Sequence, residues 1–296
     1  MRNLASSIKD RLLNLSRSSG GDFQMLLERF AMGRLLWRLV HSERTFVLKG
    51  AQLFSIWQET PHRPTRDLDL LSFGSSSVEE MQVFFEHVLT TPAEPKDSLV
   101  WTHVTANRIR EDQKYEGVRI ELVALLDRTR IPLQIDVGFG DSVTPPPVEH
   151  SWRELLGFPE SRLLTYPPET VIAEKLHAAV ELQMDNSRMK DFFDLDWLCK
   201  HMEFDHATLR ESLLSTFTRR GTSWPADAPL ALTAVFGEDP GKQTQWSSFL
   251  RKSRLTADPL PVTIARLHGF LHPVLFPVGE MATTRWSPAL GWHSAP

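Results

Sequence analysis

Apolar side chains recur at helical spacing through the first forty residues of the chain. The first stripe consists of Leu4, Ile8, Leu12 and Leu15. It predicts a helix over 3–18, which ends at Gly20-Gly21. Asp22 is a suitable N-cap for a second helix. The stripe of this second helix consists of Phe23, Leu26, Leu27, Phe30, Ala31, Leu35, Leu36 and Leu39.

The pattern then changes to one that is typical of β-strands. The apolar run Phe46–Leu48 predicts a first, short strand. Three later segments alternate apolar with polar residues, at 101–106, 118–123 and 131–137. Ser77 and Glu80 have capping-box spacing, which predicts a helix over 78–89 between the first strand and the other three.

The second half of the chain is predicted to be mainly helical. Two amphipathic patterns cover 169–184 and 189–202. The run Pro145-Pro146-Pro147 cannot continue a central strand, so we place a boundary there. We therefore predict two domains, 1–145 with a mixed α/β core and 146–296 with mostly helices. Beyond about residue 220 the periodicity is weak, and only a helix near 261–271 is indicated.

Composition sets the general class of the protein. With 296 residues, of which 41% are hydrophobic and 24% charged, the chain can bury a sizeable core. A formal net charge of -4 neither requires nor excludes a nucleic-acid partner. The single cysteine, Cys199, excludes an intramolecular disulfide and is expected to be buried. No apolar run approaches the roughly 20 residues that cross a bilayer, and the N-terminus lacks a signal pattern. We expect a cytoplasmic protein.

The most informative chemistry lies just after the first predicted strand. Lys49-Gly50 follows that strand, and an Arg/Thr-rich turn then leads to Asp67 and Asp69. In extended chain, side chains at i and i+2 point to the same face, so these two carboxylates can hold one cation together. Carboxylate pairs that bind Mg²⁺ beside substrate phosphates are typical of phosphoryl-transfer centres.

Asp136 is the candidate for a third acidic ligand. It faces away from the apolar side of the strand predicted over 131–137. Alone, it could equally be a solvent-facing strand residue. Together with Asp67 and Asp69 it completes the carboxylate set that a two-metal site needs.

A second charged cluster lies in the helical half. Arg188, Lys190, Asp191 and Asp194 crowd the start of one predicted helix, and Lys175 adjoins the apolar face of the helix before it. One interpretation is a salt-bridged helix start, which the helix dipole favours. The other is a cationic site for nucleotide phosphate with an aspartate as base. The sequence contains no Walker-type loop, CxxC or HExxH motif that would indicate a different chemistry.

Several segments, taken in order, resemble one protein family. They are RLLNLS, ERFAMGRLLWRL, FVLKGAQLF, RPTRDLDLL, LQIDVGFGD and VIAEKLHAAVELQMDNSRMKDFFDL. Over roughly residues 5 to 205, the chain resembles the AbiEii/AbiGii-type nucleotidyltransferase toxins, including MenT-like enzymes, of bacterial toxin–antitoxin and phage-defence systems. The resemblance implies an α+β fold, in which a polymerase-β-like nucleotidyltransferase core with a mixed sheet and flanking helices precedes a helical C-terminal region that completes the active site.

The resemblance also implies roles for individual residues. The expected ligands of Mg²⁺, or alternatively of Mn²⁺, are Asp67, Asp69 and Asp136. Lys175 matches the nucleotide-contacting lysine of the family, and Asp191 matches an acidic residue placed as a base. The remaining residues that we expect at the nucleotide are Lys49, Gly50, Thr65, Arg66, Arg188 and Lys190. Ala51 and Thr65 depart from the family, which often has glycine and serine at these positions.

The function implied is transfer of nucleotides from an NTP to an RNA acceptor. In some family members the acceptor is the 3′ end of tRNA, which blocks translation, and a cognate antitoxin protein is encoded beside the toxin. Two alternatives remain open at the level of sequence. The acceptor could be a small molecule or a protein, or the chain could be a non-catalytic partner-binding protein.

Overall fold

A computed structural model describes residues 3–58, 62–109, 117–279 and 284–294. The chain forms two compact units, Met1–Asp141 with Val148–Thr165, and Ser142–Pro147 with Tyr166–Pro296. The first unit therefore contains two segments, whereas the sequence predicted a single boundary at 145/146. The difference arises because the strands after the prolines return to the sheet of the first unit.

The helices described in the first unit are α1 (Leu4–Ser19), α2 (Phe23–Val40), α3 (Phe54–Trp57) and α4 (Val78–Leu89). Of these, α2 and α4 begin at the caps that the sequence indicates. The Asp22 side chain accepts a hydrogen bond from the Met25 amide at 3.0 Å, and the Ser77 hydroxyl accepts one from the Glu80 amide at 3.3 Å. Each cap satisfies an amide that has no partner within its helix.

The first unit is built on a seven-stranded mixed sheet. Its strands are β1 (Phe46–Lys49), β2 (Asp67–Ser72), β3 (Leu99–Arg108), β4 (Gly117–Leu126), β5 (Thr129–Phe139), β6 (Val148–Trp152) and β7 (Ser161–Thr165). They follow the order β3-β4-β5-β2-β1-β7-β6. The β2/β5 and β1/β7 pairs are parallel, and the other pairs are antiparallel.

One face of this sheet is apolar and the other carries polar side chains. In β5, Ile131, Leu133, Ile135 and Val137 are buried and alternate with residues that are more exposed. Helix α2 contacts β5 and β7, and α4 contacts β3 and β4. The predicted α+β class, with helices flanking a mixed sheet, is confirmed.

The second unit is mainly helical, as the sequence predicted for this half. Its helices are α5 (Pro168–Leu182), α6 (Met189–His201), α7 (His206–Arg219), α8 (Ala234–Glu238), α9 (Pro240–Ser253) and α10 (Leu260–Leu275). A small antiparallel sheet completes it, formed by β8 (Phe204–Asp205), β9 (Thr284–Ser287) and β10 (Gly291–Ser294). Cys199 is buried in α6, and burial raises the pKa of its thiol to about 12.

None of the helices in the described part of the chain is both long enough and apolar enough to cross a lipid bilayer.

Candidate active site

Asp67 and Asp69 begin strand β2 and share one face of the sheet. Leu68 and Leu70, which alternate with them, are buried on the opposite face. The apolar residues therefore orient the strand, and the two aspartates project to the polar side. Asp67 is exposed and Asp69 is half-buried.

Asp136 lies beside Asp69 on the neighbouring strand. The two residues are register partners in the parallel β2/β5 pair. Side chains at paired positions of adjacent strands project from the same face of a sheet. The structure thus places all three predicted carboxylates on one face, on two adjacent strands, although Asp136 is far from the other two in sequence.

Two cationic residues extend this arrangement across the sheet. Lys49 of β1 is the register partner of Asp69, and Arg119 of β4 is the register partner of Asp136. We call the four residues Lys49, Asp69, Asp136 and Arg119 the charged row. The sequence indicated Lys49 but not Arg119, although the alternation of strand β4 already placed Arg119 on the polar side.

Both cations of the charged row contact carboxylates. Arg119 donates to Asp136 through Nε at 2.8 Å and through its second nitrogen at 2.7 Å, so that each nitrogen meets a different oxygen. The Nζ atom of Lys49 lies 2.5 Å from Oδ2 of Asp141. Asp141 is a second residue that the sequence analysis did not single out. It lies two residues after the end of β5, within the family-like segment LQIDVGFGD.

Gly50 provides a close approach of the backbone to Asp69. Its φ angle is +73°, a conformation that non-glycine residues rarely adopt. A β-carbon at this position would stand 1.9 Å from Oδ2 of Asp69. Position 50 therefore requires glycine both for its backbone conformation and for the closeness of the Asp69 carboxylate. Ala51 is buried in the short 3₁₀-helix Gly50–Leu53.

The carboxylates of Asp67 and Asp69 suit a hard divalent cation, whereas that of Asp136 is paired with Arg119. Mg²⁺ is usually held by one or two carboxylates together with substrate phosphates, not by a full protein cage. Asp67 and Asp69 supply such a pair. Within the described ranges, no group of three or more His, Cys, Asp or Glu residues is arranged to hold a metal ion. Both oxygens of Asp136 are engaged by Arg119, so a divalent ion at this residue would compete with the guanidinium.

Two predicted nucleotide-binding residues precede β2. Thr65 is half-buried, and the Arg66 side chain is 78% exposed. The Nε atom of Arg66 lies 3.7 Å from Oε2 of Glu28 in α2. An ion pair as exposed as this contributes little to stability, so the Arg66 guanidinium can exchange partners at small cost.

The second charged cluster is assembled within the second unit, around Lys175 of α5. Its Nζ atom lies 2.7 Å from Oδ1 of Asp191 and 2.8 Å from Oδ2 of Asp194, both in α6. Arg188, the N-cap residue of α6, contacts the other oxygen of Asp191 at 2.7 Å. Lys190 is exposed.

The electrostatics of this cluster keep Asp191 ionised. Burial raises the pKa of a carboxyl group, but the charges of Lys175 and Arg188 outweigh burial and lower the pKa of Asp191 below its usual value. Two ion pairs from one lysine of α5 to α6 also serve to hold these two helices together. The geometry therefore supports a fixed ion cluster, and a phosphate role for Lys175 requires that a carboxylate release it.

The sequence of the chain is similar to that of one known protein family. A sequence model described as the nucleotidyl transferase AbiEii toxin, type IV TA system, matches residues 34–268. No curated protein matches the chain significantly.

Among solved structures, JHP933 from Helicobacter pylori is 14% identical, with a TM-score of 0.48 over 84% of this chain and 91% of that chain. A candidate nucleotidyltransferase from H. pylori has the same identity and TM-score, over 84% of this chain and 94% of that chain. An antigenic nucleotidyltransferase-like protein from Paracoccidioides brasiliensis is 13% identical, with a TM-score of 0.35 over 80% and 91% of the two chains.

These structural similarities are too distant to carry an argument, so the assignment rests on the family model, which spans well over half of the chain. The protein belongs to the AbiEii family of nucleotidyltransferase toxins of type IV toxin–antitoxin systems, and it is a nucleotidyltransferase.

Proposed function

We propose that the protein transfers a nucleotide from an NTP to an RNA acceptor in a Mg²⁺-dependent reaction, and that the acceptor is the 3′ end of tRNA. The observation that carries the proposal is the placement of Asp67, Asp69 and Asp136 on one face of one sheet. The RNA acceptor rests on the sequence resemblance to toxins that modify RNA. A tRNA that has lost its free 3′ end cannot be aminoacylated, so translation would stop.

Asp67 and Asp69 would hold the ion, and the lack of a side chain at Gly50 lets the Asp69 carboxylate lie directly against the backbone. When bound, Mg²⁺ supplies positive charge at the triphosphate and the departing pyrophosphate. The acceptor hydroxyl oxygen forms a bond to the α-phosphorus, and the bond from that phosphorus to the bridging oxygen breaks. Pyrophosphate leaves with the electron pair of that bond.

The sequence resemblance implies further residues for phosphate binding and proton transfer. Lys175, Arg188 and Lys190 are proposed to bind phosphate, and Asp191 is proposed to take the proton of the acceptor hydroxyl. The lowered pKa of Asp191 means that this carboxylate is ready to accept a proton at neutral pH but is a weak base. Most of the rate would then come from positioning and charge stabilisation.

The family implies an antitoxin as partner. We propose that this antitoxin is a protein encoded beside the toxin, and that the toxin acts in the cytoplasm, where NTPs and tRNA are available.

The test is an assay of purified protein with each of the four labelled NTPs, Mg²⁺ and a tRNA pool, followed by sequencing of the RNA 3′ ends. We expect Asp69→Asn to lose at least about 100-fold in rate, because the substitution removes a charged ligand. Glu121→Gln is the matched control, since Glu121 is exposed on the same face of β4. Transfer by Asp69→Asn at the wild-type rate would exclude the carboxylate site, and labelling of a protein or small molecule instead of RNA would exclude the proposed acceptor.

A further inference from the structure

Arg119 contacts the carboxylate oxygens of Asp136, which are the atoms that a metal ion at this residue would bind. Its fork meets both carboxylate oxygens, at 2.8 Å and 2.7 Å. A divalent cation at Asp136 needs at least one of those oxygens. The guanidinium and the cation therefore compete for the same two oxygens, and binding of the cation favours release of the guanidinium.

The partial exposure of this pair allows the exchange to take place in contact with water. The Arg119 side chain is 37% exposed and that of Asp136 is 20% exposed. Opening a pair that contacts water does not leave an unsolvated charge in the protein interior. The contrast is with Arg34 and Asp97, whose side chains are 0% and 4% exposed. Removal of that arginine would leave a charge in the protein interior, which is strongly destabilising.

A released Arg119 would remain in the charged row, one strand away from Asp136 and two strands away from Asp69. A guanidinium binds two oxygens of a phosphate group in the same fork geometry with which it binds a carboxylate. Because Arg119 stays in the row, the divalent ion adds two positive charges there, which favours an incoming phosphate.

We propose that Arg119 is an exchangeable counter-ion, which holds Asp136 before the divalent ion binds and then binds a phosphate group of the substrate. The inference rests on the proposed function, because it assumes that Asp136 receives a divalent ion. The phosphate belongs either to the NTP or to the RNA backbone, and the two arms of the test separate these sources.

An exchange makes a distinctive prediction, in which one substitution shifts two binding constants in opposite directions. Arg119→Gln removes the competitor, so Mn²⁺ should bind the full chain about fivefold more tightly in the absence of nucleotide. The same variant lacks the phosphate ligand, so at saturating Mn²⁺ either a non-hydrolysable NTP analogue or tRNA should bind about tenfold more weakly. A merely structural role would weaken both interactions together.

Binding of Mn²⁺ is followed by electron paramagnetic resonance, and binding of the analogue and of tRNA by calorimetry. Arg162→Gln is the matched control, because Arg162 also pairs with a carboxylate on the neighbouring strand, Glu149 at 2.8 Å, on the far side of the sheet. It should change neither constant. Combining Arg119→Gln with Asp136→Asn should abolish the gain in Mn²⁺ affinity.

Unchanged or weaker Mn²⁺ binding by Arg119→Gln overturns the inference. If that variant does not fold, Arg119→Lys replaces it, and this variant should show a smaller gain in Mn²⁺ affinity and a smaller loss for phosphate. If wild type transfers nucleotides but Arg119→Gln shifts neither constant, only the inference fails. If wild type neither binds Mn²⁺ nor transfers nucleotides, the proposed function fails with it.

Discussion

Gly50 and Asp69 approach so closely that a β-carbon on Gly50 would stand 1.9 Å from the Oδ2 atom of Asp69. Gly50 directly follows β1, and Asp69 lies within β2, where Lys49 is its register partner. The lysine-glycine element and the paired aspartates are thus parts of one structure, although α3 lies between them in sequence.

The first prediction concerns this contact. Gly50→Ala should displace the Asp69 carboxylate and abolish divalent-ion binding, in addition to the cost of a positive φ angle. Gly74→Ala is the control, because Gly74 has a φ of +88° but a β-carbon there would meet nothing within 4 Å. We expect this control to lose only about 1 kcal/mol of unfolding free energy and to bind Mn²⁺ normally. Denaturant unfolding and Mn²⁺ titration measure both effects, and normal Mn²⁺ binding by Gly50→Ala would contradict the role of this contact.

The second prediction concerns pH and the carboxyl group of Glu154. Burial raises its pKa to about 7, and the attraction of Arg34, with 3.6 Å between the Arg34 nitrogen and Oε1 of Glu154, offsets burial only in part. Asp97 contacts the same arginine and raises the pKa further. Glu154 also lies against Gly33 of α2, where a β-carbon would be 2.4 Å from Oε2.

Because the folded-state pKa lies above the unfolded value of 4.5, the folded chain binds the extra proton between these values. The free energy of unfolding should therefore fall by about 2–3 kcal/mol as pH rises from 4.5 to above 7. Glu154→Gln should remove most of this slope and be more stable than wild type at pH 8. Urea unfolding across this pH range checks it, and an unchanged slope in the variant would assign the pH dependence to other groups.

The third prediction separates the structural and phosphate roles of Lys175. The Asp191 and Asp194 residues that it contacts are 3% and 0% exposed. Lys175→Ala should lower the free energy of unfolding by about 3 kcal/mol, since two buried carboxylates lose a cation. Lys190→Ala, at an exposed position, should change it by less than about 0.5 kcal/mol.

Adding Asp194→Asn to Lys175→Ala should restore part of the stability, because one of the buried negative charges is then removed. Chemical denaturation of the four proteins measures these differences. Wild-type stability in Lys175→Ala would mean that the ion cluster contributes nothing to the fold, and it would favour the phosphate role.

The fourth prediction is that Lys242 of α9 holds the start of α6 in position. The Nζ atom of the buried Lys242 donates to the Asn186 carbonyl at 3.0 Å, and the Asn186 side chain accepts from the Arg188 amide at 2.8 Å. Lys242→Met should loosen this turn and cost about 1–3 kcal/mol. Lys252→Met, on an exposed position of α9, is the control. Hydrogen exchange of the Arg188 amide should accelerate in Lys242→Met only. Equal protection of this amide in both variants would exclude the positioning role of Lys242.

Local pattern accounted for most of the helices and strands. The caps at Asp22 and Ser77 and the alternation in β5 depend on residues only a few positions apart, so they could be recognised without tertiary information. The pairing of Asp67 with Asp69 is of the same kind, because it needs nothing beyond extended backbone. The pattern was weakest beyond residue 220, where α9 and the β9/β10 hairpin were not predicted. There the buried Trp246 and Trp286 pack against distant segments and produce no clear period along the chain.

Spacing along the chain therefore established which elements form, and the family-like segments established which acidic side chains could carry chemistry. Strand register was decided only in the folded protein, because it depends on how distant segments pack. This register makes Asp136 the neighbour of Asp69 on one side and of Arg119 on the other. Ion pairs were likewise decided only in the folded protein. The contacts of Lys49 with Asp141, of Lys175 with Asp194, and of Glu154 with Arg34 join residues whose separation along the chain carries no signal, since charge pairing acts through space.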